Sequence, residues 1–216
     1  METVLRNPYQ IELDTIIATQ NPDGANVLVR LADTILPDYH ALKLFPEMVY
    51  CNDVLLPTEA VRDGKTLLLA DAPEQKVLRL RVSYAMRKHL LQQVTTRLIL
   101  TVLCQNYFAC TPIFFAHPTS DRIVRLTLPA IIDDEAASET ARFLANRVNA
   151  WKDAGLNLHT RAERMETTFY GMATLPWMGP HLFHTAELDA ITPHRSLCTS
   201  VGLQLEFLMG CDRPVF

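Results

Sequence analysis

Glycine is scarce in this sequence. Only 7 of the 216 residues are glycine, which is about half of the usual share of ~7 %. Neither a GxGxxG pattern nor a GxxxxGK pattern occurs anywhere in the chain. Those patterns build the backbone cradles that hold phosphate groups, so the nucleotide-binding classes that depend on such loops are excluded.

Long apolar runs and a strong net charge are also missing. No apolar run approaches the ~20 residues that cross a bilayer, although 49% of the residues are hydrophobic. The formal net charge is -4, so any contact with nucleic acid would need a local basic patch. The composition therefore predicts a folded chain with a sizeable core and no membrane partner.

The cysteines do not form a disulfide pattern. The chain has 5 of them (Cys51, Cys104, Cys110, Cys198 and Cys211), an odd number without any CxxC spacing. Charged residues interrupt the N-terminal stretch METVLRNPYQIELD, where a secretory signal would have an apolar segment. Both features predict reduced thiols in a cytoplasmic protein.

The N-terminal part of the chain predicts β-structure. Two β-rich runs flank the turn sequence Asn21-Pro22-Asp23-Gly24, and a second hairpin is predicted at Asp63-Gly64. The segment 37–57 contains three prolines and is predicted to be a loop that packs on another part of the chain. The predicted strands are 11–19, 27–36, 59–62, 65–69 and 77–82.

A helical period begins near residue 83. The apolar face of a predicted helix near 85–105 consists of Leu91, Val94, Leu98 and Val102. On the opposite face, His89, Gln93 and Thr96 make the first two turns polar. That pattern fits a helix that lines a cleft, and it fits equally well a helix whose first turns meet water.

A second helix and three further strands follow. Apolar residues recur every three or four positions near 134–152, and Gly155 stands where a helix would end. The strands are predicted at 122–128, 156–160 and 201–208. The predicted class is α+β, with a β-rich module over 1–80 and a mixed helix and sheet module over 81–216.

Histidines are the main candidates for chemistry. His181 and His184 form an HxxH pattern, and His89 stands near the start of the first long helix. Three imidazoles could bind zinc and leave a position for water. A histidine among tryptophan, proline and phenylalanine is also often a hydrogen-bonded packing residue, so both interpretations stay open. Five other basic residues form either a modest basic edge or ordinary solvated surface: Arg161, Arg164, Arg195, His159 and His194.

Four segments follow one another in a characteristic order. Residues 34–41 read TILPDYHA, residues 85–91 read AMRKHLL, a strand and a helix follow over 126–151, and residues 180–184 read PHLFH before Thr185. In this order the chain resembles the alanyl-tRNA editing family, the free-standing AlaX proteins related to the editing domains of alanyl- and threonyl-tRNA synthetases. At the corresponding places the family has a TxFYPEGGGQPxDxG-like loop, a helix opened by HxxxHLL and a CxxxH loop.

The resemblance implies a small β-barrel-like module followed by a helix and an antiparallel sheet. It also implies hydrolysis of a mischarged aminoacyl-tRNA at a zinc site built from two histidines of the helix and a cysteine and a histidine of the later loop. His89 and His184 stand at two of these positions, whereas Ala85 and Pro180 stand at the other two and have no suitable donor atom. We therefore expect no cofactor; zinc, if retained, would bind His89, His184 and His181.

The preferred hypothesis is a divergent, trans-acting deacylase of an aminoacyl-tRNA ester. Its expected catalytic residues are His89 and His184, within ~10 Å of each other. Its expected substrate-binding residues are Gln93, Thr96, His181 and Thr185. One alternative is a repurposed enzyme of the same fold that acts without zinc on an amino-acid-like small molecule, or on aminoacyl-tRNA in a biosynthetic pathway. The other is a non-catalytic binding module or partner subunit.

Overall fold

The computed structural model describes residues 3–129, 134–161, 163–169 and 173–210. In these residues the chain combines helices with three sheets whose described strand pairs are all antiparallel, which confirms the α+β class. The chain divides into two compact units, Met1–Leu90 and Leu91–Phe216. Within the same described residues, no helix has both the length and the apolar character needed to cross a membrane.

One curled sheet forms most of the first unit. The elements of this unit are α1 (Thr3–Arg6), β1 (Glu12–Asp23), β2 (Asn26–Leu31), β3 (Val49–Cys51), β4 (Val54–Leu55), β5 (Thr66–Leu69) and β6 (Val77–Val82). The strands pair in the order β4-β3-β6-β1-β2-β5 and form an antiparallel half-barrel. Val29, Leu67 and Leu78 are fully buried in its core. The barrel-like character of the N-terminal part was thus correctly predicted in its coarse form.

Strand β1 is longer than predicted because it pairs with two different strands, one after the other along its length. Its residues 12–16 pair with β6, and most of residues 17–23 pair with β2. Pro22 therefore lies where β1 has a ladder partner on one edge only, a position that tolerates a residue without an N–H group. The strand continues through Asp23, so the turn is confined to Gly24 and the residue after it.

The predicted turn at Asp63-Gly64 is present, but the segment before it meets β5 only through a single antiparallel bridge between Val61 and Leu67. Gly64 has a φ of +77°, and a Cβ atom there would lie 2.8 Å from the carbonyl oxygen of Leu36. Only glycine fits this close approach of two backbone segments. The Asp63 carboxylate accepts a hydrogen bond from the backbone N–H of Thr66 at 2.7 Å, which fixes the start of β5.

Two other predictions for the first unit are wrong. The segment 59–62 is not a strand, because the chain after Pro57 forms a 3-10 turn over Thr58–Ala60. The segment 37–57 is not a loop throughout, because it contains β3 and β4. These two strands are joined by Asn52 and Asp53 at positive φ values of 49° and 65°. Strands of two or three residues carry too few positions for an alternating pattern to show.

A buried ion pair holds the segment before β3 in place. The Arg87 side chain donates two hydrogen bonds to Glu47, from Nε to Oε1 at 2.7 Å and from Nη2 to Oε2 at 3.0 Å. The Tyr39 hydroxyl donates to Oε2 of the same carboxylate at 2.7 Å. Burial alone would lower the pKa of Arg87, but the Glu47 carboxylate raises it above its ordinary value. The other Arg87 N–H groups donate to three backbone carbonyls: Pro8, Gln10 and Ile35.

The second unit has two sheets and the longer helices. Its elements are α2 (Tyr84–Phe108, which begins in the first unit), β7 (Ile113–Phe115), β8 (Ile123–Leu128), α3 (Asp134–Ala154), β9 (Leu158–Arg161), β10 (Glu166–Phe169), β11 (Ala173–Pro176), β12 (Ile191–Thr199) and β13 (Gly202–Met209). The strands pair as β12-β13-β8-β7 and as β11-β10-β9. The sequence patterns missed β7, β10, β11 and β12.

The middle of α2 is buried on every side. All residues from 91 to 100 are buried, including Gln93 and Thr96, which are 1% and 0% exposed. The polar face of this helix therefore meets other parts of the protein rather than water. By contrast, α3 is amphipathic as predicted, with Ala137 and Leu144 fully buried.

Candidate functional site

The segment 177–188, here called the histidine loop, contains His181 at its buried centre. The Nδ1 atom of His181 donates to the carbonyl oxygen of Leu182 at 2.7 Å, since a carbonyl can only accept. The neutral ring then leaves Nε2 as an acceptor for the Thr160 hydroxyl at 2.6 Å. Burial lowers the pKa of His181 below its ordinary value, so the ring is neutral at pH 7. Both ring nitrogens therefore make hydrogen bonds inside the second unit.

This neutral histidine should make stability depend on pH. Below its ordinary pKa of 6.5, His181 binds a proton in the unfolded chain but not in the folded one, so acid favours unfolding. When the pH falls from about 7.5 to about 5.5, the free energy of unfolding should decrease by up to about 1.4 kcal/mol.

Urea unfolding at the two pH values tests this expectation. The variant His181→Gln should lack that part of the pH dependence, whereas the variant of the exposed His194, His194→Gln, should retain it. Equal pH dependence in wild type and His181→Gln would contradict a neutral buried ring.

Two backbone groups beside His181 tie the histidine loop to its surroundings. The N–H of Leu182 donates to the Thr95 hydroxyl on α2 at 3.0 Å, and that hydroxyl donates to the Leu91 carbonyl at 2.8 Å. The N–H of Leu158, at the start of β9, donates to the Phe183 carbonyl at 2.8 Å. No local pattern marks Thr95, because its role depends on a partner far away along the chain.

Thr185 anchors the loop to the end of α3. Its hydroxyl donates to the Trp151 carbonyl at 2.6 Å and accepts from the N–H of Leu156 at 2.7 Å. Its own N–H donates to the Leu156 carbonyl at 2.9 Å. Thr185 is fully buried. The polar groups expected to bind substrate at this position therefore serve to fix the loop.

His184 lies between these anchored residues and is exposed. Its backbone is extended, its N–H donates to Oε1 of Glu187 at 3.1 Å, and it forms a single bridge with Asn157. The backbone is thus held on both sides while the side chain reaches the surface. His89, the other expected catalytic residue, is half-buried on the part of α2 that belongs to the first unit. Their closeness in space stays a prediction.

Some polar atoms on the buried part of α2 have hydrogen-bond partners, and others have none. The Gln93 amide donates to the carbonyls of Ile123 and Asp121 at 3.1 and 3.4 Å, and so fixes the start of β8. Gln92 donates to the Glu187 carbonyl at 3.2 Å. Gln92 Oε1 and Thr96 Oγ1 are two of the buried side-chain atoms that have no hydrogen-bond partner among the described residues. The sequence pattern indicated Thr96 but not Gln92, which lies between the apolar and polar faces.

A groove of about 590 Å³ lies between α3 and β12. Its charged or ionisable lining residues in the described chain are Arg142, His194 and Arg195, without a carboxylate among them. The side chain of Asn149, which also lines the groove, both donates to and accepts from the backbone of Ile191 at 2.9 Å. The groove therefore contains two members of the predicted basic edge. The other three, Arg161, Arg164 and His159, are exposed on or near β9.

The residues present do not fit the four-ligand zinc site that the resemblance implies. Ala85 and Pro180 supply no ligand atom at two of its positions. His181 could bind zinc through Nε2 only by giving up the hydrogen bond with Thr160. Across the described ranges, no group of three or more His, Cys, Asp or Glu side chains is placed to hold a metal ion.

No protein-family model and no curated protein matches the chain. The resemblance to alanyl-tRNA editing proteins therefore stays a prediction from the four sequence segments alone. The observed architecture is a β-rich unit followed by a unit of long helices and antiparallel sheets. Many unrelated functions can share such an architecture, so the function is argued from the histidine loop.

Proposed function

We propose that this protein hydrolyses the ester bond of an aminoacyl-tRNA by histidine acid–base chemistry. The observation that carries the proposal is the position of His184, an exposed imidazole on a backbone that is fixed on both sides. A catalytic base must be held in one place, and a fixed loop provides this at little entropic cost. Histidine suits the task because it exchanges protons near neutral pH.

In the proposed reaction, His184 accepts a proton from a water molecule whose oxygen attacks the ester carbonyl carbon. The bond between that carbon and the ribose oxygen then breaks, and the imidazolium returns its proton to the ribose oxygen. The products are a free amino acid and a free tRNA. His89 is the second proposed catalytic residue, and the variant His89→Ala tests whether it takes part in the reaction.

The groove between α3 and β12 supports tRNA as the partner. Arg142 and Arg195 are both exposed there, and no carboxylate lines the groove to repel phosphate. Phosphate contacts by arginine supply much of the affinity of proteins for nucleic acid, without reading its sequence. A chain with a net charge of -4 needs such a local patch.

The groove predicts a salt-dependent loss of affinity in one arginine variant. Arg142→Ala should weaken tRNA binding and reduce the slope of log affinity against log salt by about 1, because one phosphate contact is lost. Arg147→Ala is the matched control, since Arg147 is on the same helix but lies over the rings of Tyr107 and Phe143. Filter binding of uncharged tRNA at several salt concentrations measures both slopes. Equal slopes for the two variants would contradict a phosphate contact at Arg142.

A non-catalytic binding module is the second candidate. It is favoured by the hydrogen bonds of Gln93 and Thr185, whose polar groups serve the protein's own backbone rather than an open site. A repurposed enzyme would share the histidine loop but act on a small amino-acid-like molecule. The binding module catalyses no reaction, and the repurposed enzyme acts on a different substrate. One assay therefore separates both from the deacylase.

The proposed activity is tested with the purified full chain and a panel of correctly and incorrectly charged aminoacyl-tRNAs. The expected result is release of at least one amino acid faster than the spontaneous hydrolysis of the ester. Release from free amino-acid esters but not from tRNA esters would favour the repurposed enzyme. No acceleration for any ester, together with tRNA binding, would favour the binding module.

A further inference from the structure

A second cavity lies in the first unit, at the opening of the half-barrel. It has a volume of about 570 Å³ and is lined by residues of β4, β5 and the 3-10 turn Thr58–Ala60. Strands β4 and β5 are the two edges of the sheet, so the cavity occupies the gap that a closed barrel would not have. Cys51 and Leu78, which belong to the barrel core, also line it. We call this cavity the barrel cleft.

The walls of the barrel cleft are mostly apolar, and the charged residues among those described are acidic. Val54 and Leu55 on the edge strand β4 are 65% and 50% exposed. Exposed apolar side chains on an edge strand are usually covered in a soluble protein. The described residues that line the cleft include only two charged ones, Glu59 and Asp71.

The carboxylates of the barrel cleft have no cationic partner among the residues that the structure describes. Arg79 pairs with Glu12 at 2.9 Å and Arg81 with Asp53 at 3.5 Å, whereas no ion pair in the described residues involves Glu59 or Asp71. Two unpaired negative charges at the edge of an apolar cavity favour a ligand that carries a positive charge.

The wall formed by the β3–β4 turn is held in place before any ligand binds. The side chain of Asn52 accepts from the backbone N–H of Arg79 at 2.8 Å, and the Asn52 N–H donates to the Arg79 carbonyl at 2.8 Å. These two bonds tie the turn to β6. A cavity with a fixed wall loses less free energy on binding than one that must first be ordered.

We infer that the barrel cleft binds a small molecule with an apolar body and an ammonium group. The body would cover Val54, Leu55 and the half-buried Leu69, and the ammonium group would lie near Glu59 and Asp71. The volume falls in the range of small-molecule sites, about 300–1,000 Å³. This site is separate from the histidine loop and does not depend on the proposed deacylation.

The test uses three probes that share one apolar body and differ in charge: isopentylamine, isopentanol and 4-methylpentanoate. Each is titrated into the full chain and followed by NMR chemical shifts. We expect the amine to bind with a Kd of ~1–10 mM, as its small size allows. We expect it to bind about 5-fold more tightly than the alcohol, because exposed ion pairs contribute little each. The carboxylate should bind most weakly, and the perturbed signals should include Leu55 and Leu69.

Matched variants identify the origin of the charge preference. The double variant Glu59→Gln, Asp71→Asn should bind amine and alcohol equally well, since its cavity keeps its shape and loses its charge. Glu74→Gln is the control, because Glu74 is exposed nearby but does not line the cleft. Equal binding of all three probes to wild type, absence of shifts at the cleft residues, or the same loss of preference in the control would each overturn the inference.

Discussion

Replacement of Arg87 by methionine should lower the free energy of unfolding by about 3–5 kcal/mol. Arg87 and Glu47 are both almost fully buried in the first unit, with side chains that are 2% and 1% exposed. Methionine would leave the Glu47 carboxylate without its cationic partner, and a buried uncompensated charge is costly. It would also leave the carbonyls of Pro8, Gln10 and Ile35 without a donor. Urea unfolding at neutral pH measures the loss.

Two further variants separate burial from charge. Arg79→Met breaks the Arg79–Glu12 pair, whose side chains are 54% and 45% exposed, and should leave the free energy of unfolding almost unchanged. The double variant Arg87→Met, Glu47→Leu removes both buried charges and should recover part of the lost stability. Similar losses for Arg87→Met and Arg79→Met would contradict the view that this pair holds the first unit together.

Replacement of His184 by alanine should reduce kcat for aminoacyl-tRNA hydrolysis about 100- to 10,000-fold. The expected cause is loss of the group that accepts a proton from water. The fold should persist, because the hydrogen bond from residue 184 to Glu187 uses the backbone N–H and survives the change. Single-turnover release of the amino acid measures the rate, and thermal unfolding checks the fold.

His159→Ala is the matched control for His184→Ala. His159 is another exposed histidine of the second unit, and it lies on β9, outside the histidine loop and outside the groove between α3 and β12. Its removal should leave kcat unchanged. His89→Ala tests the second proposed catalytic residue in the same assay. An unchanged kcat in His184→Ala would remove the proposed mechanism, whatever the result for His89.

The parts of the fold that could be predicted from sequence are those with a sustained period. The strand at 77–82 was predicted with its observed bounds, and the helix near 85–105 differs from α2 only at its ends. The Asp63-Gly64 turn was found because a glycine at positive φ leaves a local mark in the sequence. Short strands such as β3 and β4 were missed because β3 pairs with β6, which is distant in sequence, and β4 is held only by β3.

The candidate site was harder to predict because α2 is buried on all sides in its middle part. A helix in that position does not need one polar face for solvent and one apolar face for the core. Gln93 and Thr96 were expected to face a cleft, yet both are buried, and Gln93 fixes the start of β8. For His181 the sequence left two interpretations open, a metal ligand or a hydrogen-bonded packing residue. Its bonds to Thr160 and Leu182 are those of a packing residue. These contacts join segments that no local pattern connects.

The rate of aminoacyl-tRNA hydrolysis by the purified protein, before and after thorough treatment with a metal chelator, tests the central claim most directly. If His184 supplies the proton transfer without zinc, the protein accelerates hydrolysis of the ester and the chelator leaves the rate unchanged. Loss of the activity on chelation and its return with stoichiometric zinc would contradict this account, and so would the absence of any acceleration with every charged tRNA.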